Sequence, residues 1–324
     1  MVKSIFKKKV LAAATFFVVS AAVVLSGFSM QNAKADTGNY AYPSTQYVKH
    51  DYTTGQNTTY TLPAIASVNY GNALAAQVMK AASVDPRQTY YDSAVVQLSL
   101  CDDFPNMPGA LLQEGYATGF IIGDHEIMTA AHCVYQKKNS DSVGHYNDHI
   151  FFYIPDSNGS VLNSDGIKVK SSHVPSEYIN LVEHPTNQGT QDLDYAILTV
   201  DIDLSDYGCY LLGMTTNNIK EKNVSIYSLG YGGENLKISD GNIANVGDLS
   251  YDFNLYSRQG SSGGPVYVES TFGVESTSID EYKIKKYRTA ISLIHGSNDG
   301  SNTNTNGVRI RPIIMQFAYD NDNL

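Results

Sequence analysis

The chain has 324 residues, 42% of them hydrophobic, with 22 lysines and arginines against 32 aspartates and glutamates, a formal net charge of −10. That acidity favours solubility and argues against a nucleic-acid or anionic-membrane partner. Its three cysteines, Cys101, Cys133 and Cys209, are too few for a disulfide scaffold and leave one unpaired, so stability must come from a packed core.

In chain order, Lys3, Lys7, Lys8 and Lys9 precede an apolar run from Val10 to Gly27, and Ala33-Lys34-Ala35 then offers small residues at the two positions a signal peptidase inspects. Residues 1–35 therefore read as an export signal, and the protein as secreted from a Gram-positive bacterium. An uncleaved anchor is the alternative, because the run reaches the lower limit for a membrane span. No cysteine follows the run to carry a lipid, and removing its five lysines and no acid takes the net charge to −15.

Thr37 to Thr61 is rich in Tyr, Thr, Asn and Gly with weak periodicity and reads as poorly ordered, while Ala64 to Ala82 has a short helix-like pattern. Residues 36–84 are thus expected to be a propeptide or a flexible N-terminal extension, with a boundary near Lys80 to Arg87 and the main domain over 85–324. No glutamate precedes Glu114, so an enzyme strict for glutamate could not cut there itself. From Tyr90 onward, β-like runs recur at Ala94–Leu100, Ala117–Ile122, His149–Ile154, Tyr195–Val200, Val224–Leu229, Pro265–Glu269 and Tyr287–His295. Short strands at that spacing predict an all-β barrel or sandwich. Arg311 to Ala318 has helical apolar spacing and is expected to dock as a terminal helix, and Gly296 to Gly307 reads as a solvated polar loop.

Gly260-Ser261-Ser262-Gly263-Gly264-Pro265 sets a serine among glycines. A hydroxyl nucleophile needs an adjacent base, its tetrahedral intermediate needs fixed donors, and glycines let backbone N–H groups approach closely. Taken alone the string is also compatible with an ordinary turn. Thr129-Ala130-Ala131-His132-Cys133 places a histidine between small residues after an apolar segment. Asp194 opens the apolar run Ala196 to Val200, and a charge at the edge of a buried strand needs a partner such as a histidine N–H. The chain order His132, Asp194, Ser262 is that of chymotrypsin-like enzymes; α/β-hydrolases and subtilisin-type enzymes use other orders. Asp192 competes for the acid role, since two residues along a strand share a face.

These motifs resemble those of trypsin-like serine proteases, and residues 84–320 resemble bacterial glutamyl endopeptidases of the staphylococcal V8 and Bacillus types. The further matches are Tyr207-Gly208-Cys209-Tyr210, Leu229-Gly230-Tyr231-Gly232-Gly233, and Ile294-His295 followed by Gly307-Val308-Arg309-Ile310. The resemblance implies two Greek-key antiparallel β-barrels with a C-terminal helix. It implies Ser262 as nucleophile, His132 as base and acid, Asp194 as the group orienting His132, and the N–H groups of Gly260 and Ser262 as the oxyanion hole. It also implies that His295 and Ser257 line an S1 pocket for a P1 glutamate, less often aspartate; Arg258 would add charge nearby or point to solvent. Two departures stand out. Ala117 and Thr118 occupy the region where Bacillus-type relatives carry the cysteine partner of Cys133, leaving Cys101 as a substitute. Ser262-Gly263-Gly264-Pro265 is closer to the animal trypsin pattern than to Ser-Gly-Ser-Pro.

The reading is a secreted, monomeric serine endopeptidase acting on proteins or peptides, with no cofactor and no metal. No zinc or nucleotide motif occurs, and Asp299 to Asn306 does not fit an EF-hand. The alternatives are a serine protease of different P1 preference, or a protease-like adhesin or binding protein.

Overall fold

In a computed structural model, residues 46–62, 94–137, 142–155, 165–185, 190–213, 226–231, 236–275, 282–297 and 303–321 are described. The export signal, the helix-like pattern of Ala64 to Ala82 and the Lys80 to Arg87 boundary lie outside them.

Strands β1 (Gln46–Asp51), β2 (Gln56–Thr61), β3 (Val95–Asp103), β4 (Leu111–Ile121), β5 (Glu126–Thr129), β8 (His149–Tyr153), β9 (Ile167–Lys168), β10 (Ser171–Pro175) and β11 (Ala196–Thr199) form one sheet in the order β2-β1-β10-β11-β5-β4-β3-β8-β9. Between them, β6 (Tyr135–Gln136) and β7 (His145–Tyr146) pair with each other, and helix α1 (Ser176–Glu183) follows β10. The second sheet takes β12 (Leu211–Leu212), β13 (Ile226–Tyr231), β14 (Leu236–Val246), β15 (Ser250–Asn254), β16 (Pro265–Glu275), β17 (Tyr282–Ser297) and β18 (Thr305–Arg309) in the order β12-β17-β16-β13-β14-β15-β18. β18 also pairs with β17, so this order turns back on itself. In the first sheet one run of chain, β9 and β10, serves both β8 and β11. The all-β class with a C-terminal helix, α2 (Pro312–Asn321), is as expected.

Sequence accounts for the central strands. Val95 to Leu100 of β3 is buried at every position, as a strand covered on both faces requires, and Ala196-Ile197-Leu198 of β11 is equally buried. Proline at the first position of α2 has the fixed φ a helix start needs, and Ile313, Ile314, Met315, Phe317 and Ala318 turn an apolar face inward. Tyr42–Val268 and Arg288–Leu324 form one compact unit, which holds everything discussed below.

One expectation is corrected. Over 46–62 the chain is not a poorly ordered extension: β1 and β2 make a hairpin, and β1 continues the sheet through β10 with Tyr47 opposite Pro175 and Asp51 opposite Ser171. The weak sequence periodicity follows from an edge hairpin in which β2 is almost wholly exposed. What anchors it is aromatic. Tyr47 is fully buried, stacks on Phe317 of α2 at 3.9 Å between ring centroids, and its Oη lies 3.0 Å from that of Tyr195. Tyr195 is the residue next to Asp194, so the hairpin, the acid strand and the C-terminal helix share one cluster. Truncating such a ring removes its transfer energy and leaves a cavity. Tyr47→Ala is expected to lower unfolding free energy by about 3–5 kcal/mol in urea titration, a loss that a disordered leader would not produce.

A second anchor titrates. His173 on β10 is buried, with Nδ1 2.9 Å from Tyr60 Oη and Nε2 3.5 Å from Ser171 Oγ. Burial, helped by the Lys49 charge, pulls its pKa down to about 3. The unfolded chain therefore binds a proton below about 6.5 that the folded chain refuses, and stability falls as pH falls between about 6.5 and 3. At pH 4.5 the wild type is expected to lose about 2–3 kcal/mol more than His173→Gln relative to pH 7, read by urea unfolding.

Candidate active site

The acid is placed first. A short 3-10 turn, Thr190–Leu193, ends just before β11 and delivers Asp194 into the interior, where its side chain is 0% exposed. A carboxylate so buried needs donors. His132 supplies two: its backbone N–H donates to Oδ1 at 2.8 Å and its Nδ1–H to Oδ2 at 2.7 Å. His132 itself sits in the 3-10 turn Ala131–Cys133 that follows β5. Buried Ala130, Ala131 and Cys133 hold that turn, and Asn147 latches it by donating Nδ2 to the Cys133 carbonyl at 2.9 Å. Burial alone would lift the Asp194 pKa, yet the two imidazoles beside it, His132 and then His295, hold it well below the usual carboxylate range. Burial works to lower the His132 pKa, but the Asp194 charge, with the Cys133 side chain, outweighs it and raises it well above 6.5. With Nδ1–H spent on the carboxylate, Nε2 is the ring's free position. Asp192 does not compete: it lies within the 3-10 turn rather than on the strand, and its carbonyl takes Arg311 Nη2 at 2.7 Å.

The nucleophile turn is built by being bonded to both sheets. Gly260 and Gly263 adopt φ of 89° and 81°, the left-handed region that favours glycine. A Cβ on Gly263 would lie 2.2 Å from Thr129 Oγ1 and 2.3 Å from the Thr118 carbonyl. From β4, Thr118 donates its N–H to the Ser262 carbonyl at 2.9 Å and its hydroxyl to the Gly260 carbonyl at 2.6 Å. From β17, Ile294 accepts the Gly263 N–H at 2.8 Å and donates to the Gly264 carbonyl at 2.9 Å. The N–H groups of Gly260 and Ser262 have no acceptor among the described residues. That leaves them open to a substrate oxygen. Ser262 Oγ itself is loosely held, 3.5 Å from the His295 carbonyl, and makes no hydrogen bond to His132.

The two residues expected to line S1 each have a partner within the protein. β17 bulges between Ile294 and Gly296 against β18, and His295 is the residue caught in the bulge. A bulge re-aims its side chain. The His295 ring turns onto Asp194, its Nδ1 hydrogen-bonded to Oδ2, and stands edge-on to His132 with ring centroids 5.5 Å apart. The Gly296 N–H freed from the ladder is taken by Asn306 Oδ1 at 3.1 Å. Ser257 is buried with Oγ 2.6 Å from Thr305 Oγ1, which spends its own proton on the Leu255 carbonyl, so Ser257 is the donor in that pair. Ser257 Oγ and His295 Nδ1 thus each donate to another side chain of the protein. Arg258 is half-buried, its backbone N–H on Ser261 Oγ at 3.3 Å and its Nε without a partner among the described residues.

His132, Asp194 and His295 each place one potential ligand atom within 4.8 Å of the others, the spacing a metal ion would need. Both inward nitrogens are nevertheless committed to the same carboxylate oxygen, and hydrogen bonding accounts for the cluster in full. Cys101 and Cys133 are both free thiols, so the Cys101–Cys133 pair is not formed. The hydroxyl and N–H of Thr118 tie β4 to the nucleophile turn instead. Sequence reasoning missed Thr118 and Asn147, whose roles are visible only once their partners are adjacent. Thr118→Val is expected to leave the Gly260 carbonyl short of a donor, costing about 1–3 kcal/mol in unfolding experiments. It should also slow acylation of Ser262 by a fluorophosphonate by about tenfold.

Residues 117–271 match the family profile of the trypsin-like peptidase domain. No curated protein matches the chain. Among solved structures, a Glu endopeptidase in complex with MPD is 14% identical, covering 73% of this chain and 93% of its own, with a TM-score of 0.49. The thermostable serine protease AL20 from an extremophilic microorganism is 12% identical, covering 71% and 98%, with a TM-score of 0.47. The protease Anisep from Arthrobacter nicotinovorans is 15% identical, covering 67% and 90%, with a TM-score of 0.45. With TM-scores below 0.5 these likenesses decide nothing, and the fold rests on its own strand order. The stretch that matches the trypsin-like peptidase domain profile holds His132, Asp194 and Ser262.

Proposed function

We propose that this protein is a serine endopeptidase working through an acyl-enzyme. The observation that carries the reading is the fully buried Asp194 accepting both the backbone N–H and Nδ1–H of His132, beside a glycine-flanked serine with two unengaged N–H groups. Ser262 Oγ leaves the His295 carbonyl by rotation about one single bond and attacks the scissile carbonyl carbon, giving its proton to His132 Nε2. The carbonyl oxygen becomes an oxyanion between the N–H groups of Gly260 and Ser262. His132 then passes the proton to the leaving amine as the C–N bond breaks. Water attacks the ester with His132 again as base. An adhesin or binding module is disfavoured, because burying a charged carboxylate costs several kcal/mol and serves no binding surface.

Preference for Glu at P1, less often Asp, is the finer reading, and the place of His295 beside the nucleophile supports it. The tautomer opposes it. With Nδ1–H on Asp194, a neutral His295 offers only an acceptor at Nε2, which repels a carboxylate; the imidazolium alone would donate. A different P1 preference is the second reading, favoured also by the Ser257 hydroxyl being spent on Thr305. Export with loss of residues 1–35 and action as a monomer on protein or peptide substrates complete the proposal, supported by the sequence pattern alone.

Fluorophosphonate labelling of wild type and Ser262→Ala is the test. Covalent adduct on Ser262 in the wild type and none in the variant is expected; an unlabelled, folded wild type refutes the peptidase reading. A chromogenic panel varying only P1 among Glu, Asp, Gln, Arg and Phe then decides specificity. Cleavage after Gln matching that after Glu removes carboxylate recognition while leaving the peptidase.

A further inference from the structure

We propose that His295 is a positioning residue of the proposed reaction, its imidazole fixing Asp194 against His132 while its carbonyl parks the Ser262 hydroxyl. The inference rests on the peptidase reading for its purpose, though not for its geometry. Three contacts on three different groups converge on this one residue. Its Nδ1 donates to Asp194 Oδ2, its ring meets His132 edge-on, and its carbonyl oxygen lies 3.5 Å from Ser262 Oγ.

The bulge is what makes this possible. Ile294, one residue earlier, keeps strand geometry and hydrogen-bonds the nucleophile turn through both its N–H and its carbonyl. The extra residue breaks the alternation of faces, and the released Gly296 N–H is satisfied by Asn306. A single stretch of β17 therefore holds the nucleophile turn by its backbone and the acid by a side chain. The register between acid and nucleophile no longer depends on the two sheets meeting correctly by packing alone.

Two N–H donors on one carboxylate oxygen share its charge. The His295 bond draws electron density that would otherwise stabilise the His132 imidazolium, so His295 also tempers how strongly Asp194 holds a proton on His132. The titratable groups around this hub are His132 and Cys133 on their 3-10 turn, Tyr178 on α1, and Asp194. Removing the His295 side chain leaves the full carboxylate charge facing His132 and is expected to raise the His132 titration by about half to one unit. Serine at 295 supplies a hydroxyl donor and should restore part of that shift; alanine cannot.

The test reads His132 directly. The 13Cε1 resonance of His132 is titrated in Ser262→Ala and in Ser262→Ala carrying His295→Ala, His295→Ser or His295→Asn, so the measurement does not need catalysis. Expected are an upward shift of about half to one unit with alanine and a smaller one with serine. In the Ser262 background, kcat should fall about tenfold for His295→Ala with KM little changed, and the acid limb of kcat/KM should move to higher pH with the NMR shift. A residue that merely fills space would change thermal stability without moving either titration. A His132 titration within 0.2 units of the parent in a folded His295→Ala protein overturns the proposal. Failure of Ser262 to label with fluorophosphonate would sink the peptidase reading and leave the titration result standing.

Discussion

A carboxylate with no access to water organises this molecule. Asp194 can stay ionised in the interior only because His132 and His295 surround it with N–H groups, and each bond that satisfies it also fixes something chemical. The backbone N–H of His132 sets the height of the 3-10 turn, and Nδ1–H sets the ring plane and tautomer. With the tautomer fixed, Nε2 must face outward as the lone pair. Removing the carboxylate would leave three donors without an acceptor, so its role in holding the site and in tuning the base cannot be separated.

The surroundings of Asp194 show how a rigid acid is obtained from flexible parts. Tyr195 follows it directly and packs with Tyr47 and Phe317, drawing the first and last described elements of the chain onto the acid strand. Asn147 holds the base turn from the other side. Thr118 and Ile294 clamp the nucleophile turn from opposite directions, each with two hydrogen bonds. A disulfide would tie Cys133 to its neighbourhood covalently. In this chain the free Cys133 lies with Sγ 4.0 Å from the Ser262 carbonyl, and that same carbonyl is claimed by Thr118. Hydrogen bonds from a buried threonine thus do positional duty where a covalent link is absent.

What could be read from the chain divides along a physical line. The seven β-like runs correspond to β3, β4, β8, β11, β13, β16 and β17, because apolar and β-branched runs bounded by turn residues mark strands locally. His132, Asp194 and Ser262 were legible since each sits in a short motif of small or glycine residues with its own local reason. The hairpin of β1 and β2 was not, because its polar exposed face masks one anchoring tyrosine, whose buried partners Tyr195 and Phe317 lie 148 and more residues away. The hydrogen bond from His295 to Asp194 was hidden for a related reason. Counting along a strand gives side-chain direction only while the alternation holds, and a bulge is created by pairing with β18, which no local pattern records.

The same charges set opposite demands on acidity. Asp194 has its pKa lowered by folding, so its contribution to stability is present at neutral pH and fades as pH falls toward the unfolded carboxylate range and below. His173 acts in the same direction, refusing a proton that the unfolded chain accepts. His132 runs the other way: its pKa is raised, so its ion pair with Asp194 stabilises the fold at lower pH and is lost as pH climbs through the folded value. A base must be neutral to accept the serine proton, so catalysis gains where that ion pair dissolves. Between the acid loss of Asp194 and His173 and the alkaline loss of the His132 pair lies the range in which fold and chemistry coexist. A second imidazole on Asp194 widens that range from the catalytic side, because it weakens the grip on the His132 proton without taking away the carboxylate that holds the ring.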